Sequence, residues 1–255
     1  MTDLNHIAQH YQAASDVLKN RIILVTGAGD GIGVAVAKAC AAHGATVILL
    51  GKTIAKLEAV YDAIEAAGHP QAAIYPLDLR GATEDDYEQL ATTIEENFGK
   101  LDGLLHNAGI LGEKKPIAQI SAKNWNEVLQ VNLTSNFLLT KALLPLLDKS
   151  EDASIVFTSS GVGRKSRAYW GTYAVSKFAT EGLMQTLADE LENTTSIRVN
   201  SINPGATNTA MRRNAYPGEH PNSNPSPDNI TAAYLYLLGP DSKGVTGQAL
   251  DAQQR

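Results

Sequence analysis

At 255 residues, with 44% apolar and 19% charged, the chain can bury a sizeable core, which argues against global disorder. Its 27 acidic against 21 basic residues leave a net charge of −6, which argues against nucleic acid or an anionic membrane as the main partner. A single cysteine, Cys40, excludes an internal disulfide framework, fits a reducing compartment and reads as a buried small residue of an alanine-rich helix.

Residues 1–20 lack a signal-peptide layout and read as a short helical extension docked on the main domain. From Arg21 onward, short apolar runs alternate with longer helical stretches. The pattern predicts strands at 21–26, 46–50, 72–77, 101–106, 154–158, 197–202 and 248–250. It predicts helices at 31–43, 53–67, 83–98, 121–147, 172–193 and 228–238, with Gly68 closing the second as a C-cap. The strands are apolar throughout rather than alternating, as strands buried on both faces are. The expected fold is α/β: a Rossmann-type doubly wound parallel sheet of about seven strands, helices on both faces, in a single domain over 21–255. No stretch approaches the apolar length of a membrane span, so the protein is expected to be cytoplasmic. The irregular stretch 211–229 has prolines at 217, 221, 225 and 227 and is expected to belong to a substrate lid over about 210–229.

The first strand runs directly into Thr26-Gly27-Ala28-Gly29-Asp30-Gly31-Ile32-Gly33, which opens a helix. Glycines let the backbone turn tightly and approach a pyrophosphate, whose charge the helix N-terminus favours. The strand before and the helix after raise this motif above an ordinary glycine-rich turn. The end of the second strand discriminates between cofactors. An acid there binds ribose hydroxyls and favours NAD, whereas a base can accept a 2′-phosphate. Gly51-Lys52-Thr53 has no acid and one lysine, so NADP(H) is favoured over NAD(H), against the opposing charge of Asp30 in the neighbouring loop. Asp78, followed by Leu79 at the end of the third strand, can accept a hydrogen bond from the adenine amino group or simply cap the next loop. Asn107, Ala108 and Gly109 follow His106 at the end of the fourth strand, where ligands gather in such sheets. None of the histidines has zinc-ligand spacing, so no metal is expected.

Tyr173 and Lys177 stand four residues apart, which on a helix places phenol and ammonium on one face. A free tyrosine has a pKa of about 10, and a nearby fixed cation stabilises the phenolate and lowers it. Lowering it by roughly 3 units takes about 4 kcal/mol, which needs close and partly desolvated partners. Ser160, thirteen residues before Tyr173, could hold a carbonyl oxygen while the tyrosine protonates it. Asn132 falls on a helix face with Trp125 and Val128 that should be buried, so its amide must find partners.

These motifs, in this order, closely resemble the single-domain short-chain dehydrogenase/reductase family: TGAGDGIG, HNAG, Asn132 in QVNLTSNF, Ser160, Tyr173-Ala-Val-Ser-Lys177 and Asn203-Pro204-Gly205. Longer stretches such as LDGLLHNAG and VFTSSGVGR are similar to its YciK-type bacterial branch. The resemblance implies Tyr173 as general acid in reduction and base in oxidation. It implies that Lys177 lowers the tyrosine pKa and binds the nicotinamide ribose, and that Ser160 steadies the substrate carbonyl. Asn132 would hold a water for proton relay, and Pro204, Gly205, Thr207 and Thr209 would hold the nicotinamide carboxamide and nearby phosphate oxygens. Ser160 is preferred to Ser159 for its spacing and for the Gly163 that follows, and Tyr173 to Tyr169 for its lysine.

The expected activity is hydride transfer between NADP(H) and a small carbonyl or alcohol substrate. Alternatives are a dinucleotide-binding sensor or scaffold with little turnover, and an epimerase or dehydratase, which would need a C-terminal substrate domain. Arg164, Lys165, Arg167, Arg212 and Arg213 bracket the expected substrate mouth and could receive an anionic group, or could be solvated charges. A homodimer or homotetramer is expected, pairing through the helices at 121–147 and 172–193, with Ala179, Leu183, Leu187 and Leu191 as one apolar face that could equally be core.

Overall fold

Seven strands form one parallel sheet in the computed structural model, which describes residues 3–254. They are β1 (Ile22–Thr26), β2 (Thr46–Gly51), β3 (Ala73–Pro76), β4 (Gly103–His106), β5 (Ser154–Thr158), β6 (Arg198–Asn203) and β7 (Ala249–Asp251). Their order is β3-β2-β1-β4-β5-β6-β7, so the winding reverses between β1 and β4 and a crevice opens beyond their carboxyl ends. The register sets Thr26 beside Leu50, His106 beside Phe157 and Asn203 beside Asp251, which lines up the loops after β1, β2, β4, β5 and β6 along one edge.

Alternation along each strand divides the core. Ile23 and Val25 enter a cluster with α2 (Gly31–Ala42), α3 (Ile54–Ala66) and α9 (Thr231–Leu238), while Leu24 enters another with α4 (Glu84–Phe98), α6 (Ser135–Leu147) and α7 (Gly171–Leu191). Local signals place the helix ends: Thr83 and Asp86 form a reciprocal capping box on α4, and Gly99 closes it at φ +75°. The N-terminal segment contributes α1 (Leu4–Gln9), and its Ala8 and Leu18 are fully buried in the α2–α9 cluster. No helix among the described residues is long and apolar enough to cross a membrane.

Two expectations change. The predicted helix at 121–147 is α5 (Ala122–Leu129), a π-helical turn (Gln130–Thr134) and α6. The irregular stretch begins inside a helix, α8 (Ala210–Ala215), and the late helix starts with a 3₁₀ turn at Pro227–Ile230. Of the two readings left open for the apolar series on α7, core holds for Leu183, Leu187 and Leu191, which pack into the α4–α6 cluster, while on α6 and α7 the exposed large apolar side chains are Phe137, Val175 and Phe178.

Candidate active site

A cleft of about 370 Å³ runs along the carboxyl edge of the sheet. Gly27, Gly29, Asp30, Gly31 and Ile32 line it. Gly27 has φ +67°, and a Cβ there would lie 3.0 Å from Ala108 Cα, so only glycine lets the loop pass the β4 turn this closely. Gly33 does not reach the cleft; a Cβ on it would lie 2.1 Å from the Gly27 carbonyl oxygen, so its role is to seat α2 against the loop. Asp30 is the N-cap of α2 by position, but its side chain makes no capping hydrogen bond and instead pairs with Lys56 Nζ at 2.5 Å. The first-turn amides of α2 are thus left without a side-chain cap where Gly31 and Ile32 face the cleft, an arrangement suited to an anion. The same ion pair offsets the Asp30 charge that opposed a phosphorylated ribose.

Lys52, Asp78 and Leu79 line the adjoining wall together with Thr53, Lys56 and Arg80. The Asp78 carboxylate accepts from Arg80 N at 3.1 Å and so also caps its own loop. Asn107, Ala108 and Gly109 line the floor. Thr26 organises that turn, which sequence reasoning missed although it heads the glycine motif. Its Oγ1 accepts from the amides of Asn107 (2.9 Å) and Ala108 (3.0 Å) and donates to the Leu105 carbonyl (3.2 Å). His106 is buried behind it, with Nε2 2.8 Å from Thr140 Oγ1 and its ring stacked on Phe157. Burial pushes its pKa down to about 3. Among the described residues no cluster of His, Cys, Asp and Glu could hold a metal ion.

Tyr173, Lys177, Pro204 and Thr209 line the cleft as well, with Thr209 beside Gly31, where an added Cβ would lie 3.3 Å from Thr209 Cγ2. Ser160 caps the short 3₁₀ turn after β5, and its hydrogen bond to Tyr173 acts to lower the phenol pKa. The following Gly163 is required because a Cβ there would lie 2.8 Å from Lys177 Cβ, so the turn carrying Ser160 packs directly on α7. Of the two adjacent serines it is Ser159 that lines the cleft, its Oγ buried and without a hydrogen-bond partner, whereas Ser160 is not part of the lining. Burial dominates the tyrosine and pushes its pKa up to about 12, contrary to the expected lowering. Lys177 Nζ is 5.8 Å from the Tyr173 ring centroid and donates to the Thr158 carbonyl at 2.7 Å. Burial also pushes Lys177 down to about 8, with Glu181 one turn further along α7 opposing the shift.

Asn132 sits in the π-helical turn, fully buried. Its Oδ1 accepts from Ile110 N at 2.8 Å, and its Nδ2 donates to the Ile110 carbonyl and to Ser176 Oγ, both at 3.0 Å. Its own carbonyl accepts from Asn136 Nδ2 at 2.9 Å. The side chain therefore braces the β4 loop against α7 rather than presenting a free amide for a water. Gly205 and Thr207 also lie behind the cleft. Gly205 has φ +72°, and the loop is held from the rear by Gln253, whose Nε2 donates to the carbonyls of Pro204 (2.6 Å) and Ala206 (3.1 Å).

Two expected substrate-mouth arginines are engaged elsewhere. Arg164 meets Glu181 Oε1 at 3.2 Å, Asp251 Oδ1 at 2.8 Å and the Leu250 carbonyl at 2.9 Å. Arg212 forms two 2.7 Å bonds to Glu219 and lies 3.9 Å over the Tyr216 ring. Lys165 and Arg167 are exposed, and Arg213 donates to Asn208 Oδ1 at 2.9 Å.

The fold has counterparts among known proteins. The short chain dehydrogenase family matches residues 21–220. This chain belongs to that family of oxidoreductases. It is 51% identical to the uncharacterized oxidoreductase YciK of Escherichia coli K12 over 244 residues, 96% of each chain. A short chain dehydrogenase structure from Pseudomonas syringae superposes with a TM-score of 0.94 at 60% identity, covering 95% of this chain and 98% of that one. One from Escherichia coli CFT073, complexed with NADPH, gives 0.92 at 51% identity and covers 95% of this chain and 100% of its own.

Proposed function

We propose that this chain is an NADP(H)-dependent oxidoreductase that interconverts a carbonyl and an alcohol. The observation that carries the reading is one continuous cleft, lined both by the uncapped start of α2 and by Tyr173 with Lys177. The α2 amides and the 27–32 loop would receive the pyrophosphate, and Asp78 with Leu79 the adenine. Pro204 and Thr209 would sit by the nicotinamide. Lys52 would meet the 2′-phosphate, with Lys56 neutralising Asp30 beside it; the NADPH complex of a relative half identical in sequence supports the same choice. Bound NADPH supplies the hydride to the substrate carbon.

The remaining work belongs to the side chains. Ser160 donates to the carbonyl oxygen and holds it against the Tyr173 phenol. As the carbon gains the hydride, the oxygen becomes an alkoxide and takes the phenol proton. A phenol held near pKa 12 stays protonated at neutral pH yet is far more acidic than an alcohol, so the site is poised for reduction. Lys177, kept near neutral pH by burial, re-supplies charge close to the new phenolate, and Asn132 positions Lys177 by bracing α7 through Ser176. The 210–229 segment serves as the substrate lid, and the N-terminal extension as a buttress: Asn5 and Gln9 bond the backbone of Asp251, which in turn holds Arg164. Two copies pair through α6 and α7, covering Phe137, Val175 and Phe178, which are 50%, 39% and 45% exposed.

Replacing Tyr173 by Phe is expected to lower NADPH-dependent reduction of an accepted aldehyde by about 10³-fold, with the NADPH dissociation constant within about threefold of wild type. Activity surviving that change would remove Tyr173 as the acid.

A further inference from the structure

We propose that Lys114 is the specificity-determining residue of the substrate side and that it selects carbonyl compounds carrying a carboxylate; this rests on the reading of the site as a carbonyl reductase.

Lys114 lies in the loop after β4. Its Nζ is 4.6 Å from the ring centroid of Trp170 and 4.6 Å from that of Tyr216, and it donates to the Ala215 carbonyl at 2.6 Å. Trp170 in turn tilts against Tyr173 at 5.8 Å between centroids. The ammonium is therefore one ring away from the proton-donating phenol. The carbonyl at the end of α8 and the two ring faces both favour a cation. Neither neutralises it.

Its neighbours differ in this respect. Arg212 faces Glu219, Lys115 faces Glu113 at 3.2 Å, and Arg164 faces Glu181 and Asp251. Lys114 is half-buried and forms no ion pair among the described residues. A lysine ammonium has three donors, and Ala215 takes one. The others are left to an incoming carboxylate, which would gain a charge-assisted hydrogen bond in a partly desolvated slot. Leu111, Val162, Trp170 and Met211 gather around Tyr173 and suit an apolar body. The implied ligand has its carbonyl at Ser160 and Tyr173, a flat or apolar middle along Trp170, and a carboxylate at Lys114.

The test compares 4-formylbenzoate with its methyl ester, which share the aldehyde and the ring and differ in charge. For the wild-type protein with NADPH, kcat/KM is expected to favour the acid. In Lys114→Met the ratio of acid to ester should fall at least tenfold, mainly through KM, and Lys114→Arg should recover part of it. An unchanged ratio in Lys114→Met would overturn the proposal while leaving the reductase reading intact. If neither aldehyde is reduced by the wild type, calorimetry of benzoate against benzamide on the NADP⁺-loaded protein decides Lys114 separately from the reductase reading, which the Tyr173→Phe comparison tests. Tighter benzoate binding that disappears in Lys114→Met supports it, and equal binding of the two probes overturns it.

Discussion

The regions proposed for cofactor and for substrate are built in different ways. The cofactor region is shaped by backbone: glycines at contact distance, an uncapped helix start, and a turn held by Thr26. The region proposed for the substrate, next to Tyr173, is shaped by long side chains, with Lys114 between Trp170 and Tyr216 and Arg212 clasped by Glu219. Backbone geometry tolerates almost no change at a glycine, because a Cβ cannot rotate away. Side-chain stacks can be rebuilt residue by residue at a cost of about 1 kcal/mol or less per exposed contact. A family can thus keep one dinucleotide site and vary its substrates.

The largest effect that would break this contrast is at Gly33. Gly33→Val would drive its side chain into the Gly27 carbonyl, and NADPH affinity should drop by at least about 100-fold, or about 3 kcal/mol, read by calorimetry and by loss of the NADPH-induced rise in melting temperature. Unaltered affinity would mean that the loop is not a rigid seat. Next in size, Lys52→Glu should lower the NADPH/NADH preference by about tenfold or more without touching the substrate region. A preference that stays put would transfer the choice to Lys56 and Arg80.

The smallest predicted effect joins the two regions through Lys177. Its folded-state pKa of about 8 means that the ammonium is lost as pH rises through that value, while Tyr173 stays protonated. Reduction measured as kcat/KM should fall on the alkaline side near pH 8. The Glu181 carboxylate favours the charged lysine, so Glu181→Gln should move that limb to lower pH by about half a unit or more. A limb that does not move would detach the alkaline fall from Lys177.

Much of the site was legible in the sequence for local reasons. The glycine motif lies within one strand-turn-helix unit, and Tyr173 and Lys177 within one helical turn, so their placement depends on short-range geometry. Gly163 was read from its match to the family pattern, and its packing on Lys177 gives the cause. The π-helical turn was not legible, because Gln130–Thr134 has ordinary helical residues and the extra residue is stabilised by partners on other elements, Ile110 and Ser176.

The sequence by itself determined the alternation of strands and helices, the parallel sheet, the glycine loop between β1 and α2, and the one-turn spacing of Tyr173 and Lys177. Each of these follows from periodicity or from contacts within a few residues. Tertiary structure alone decided which charges remain available. Arg164 and Arg212 looked free and are held by carboxylates, Asp30 looked obstructive and is neutralised by Lys56, and Lys114 carried no signal yet stacks on Trp170, the ring next to Tyr173. It also decided the direction of the tyrosine shift, since desolvation of Tyr173 depends on everything packed around it, whereas the spacing of Lys177 describes only one neighbour.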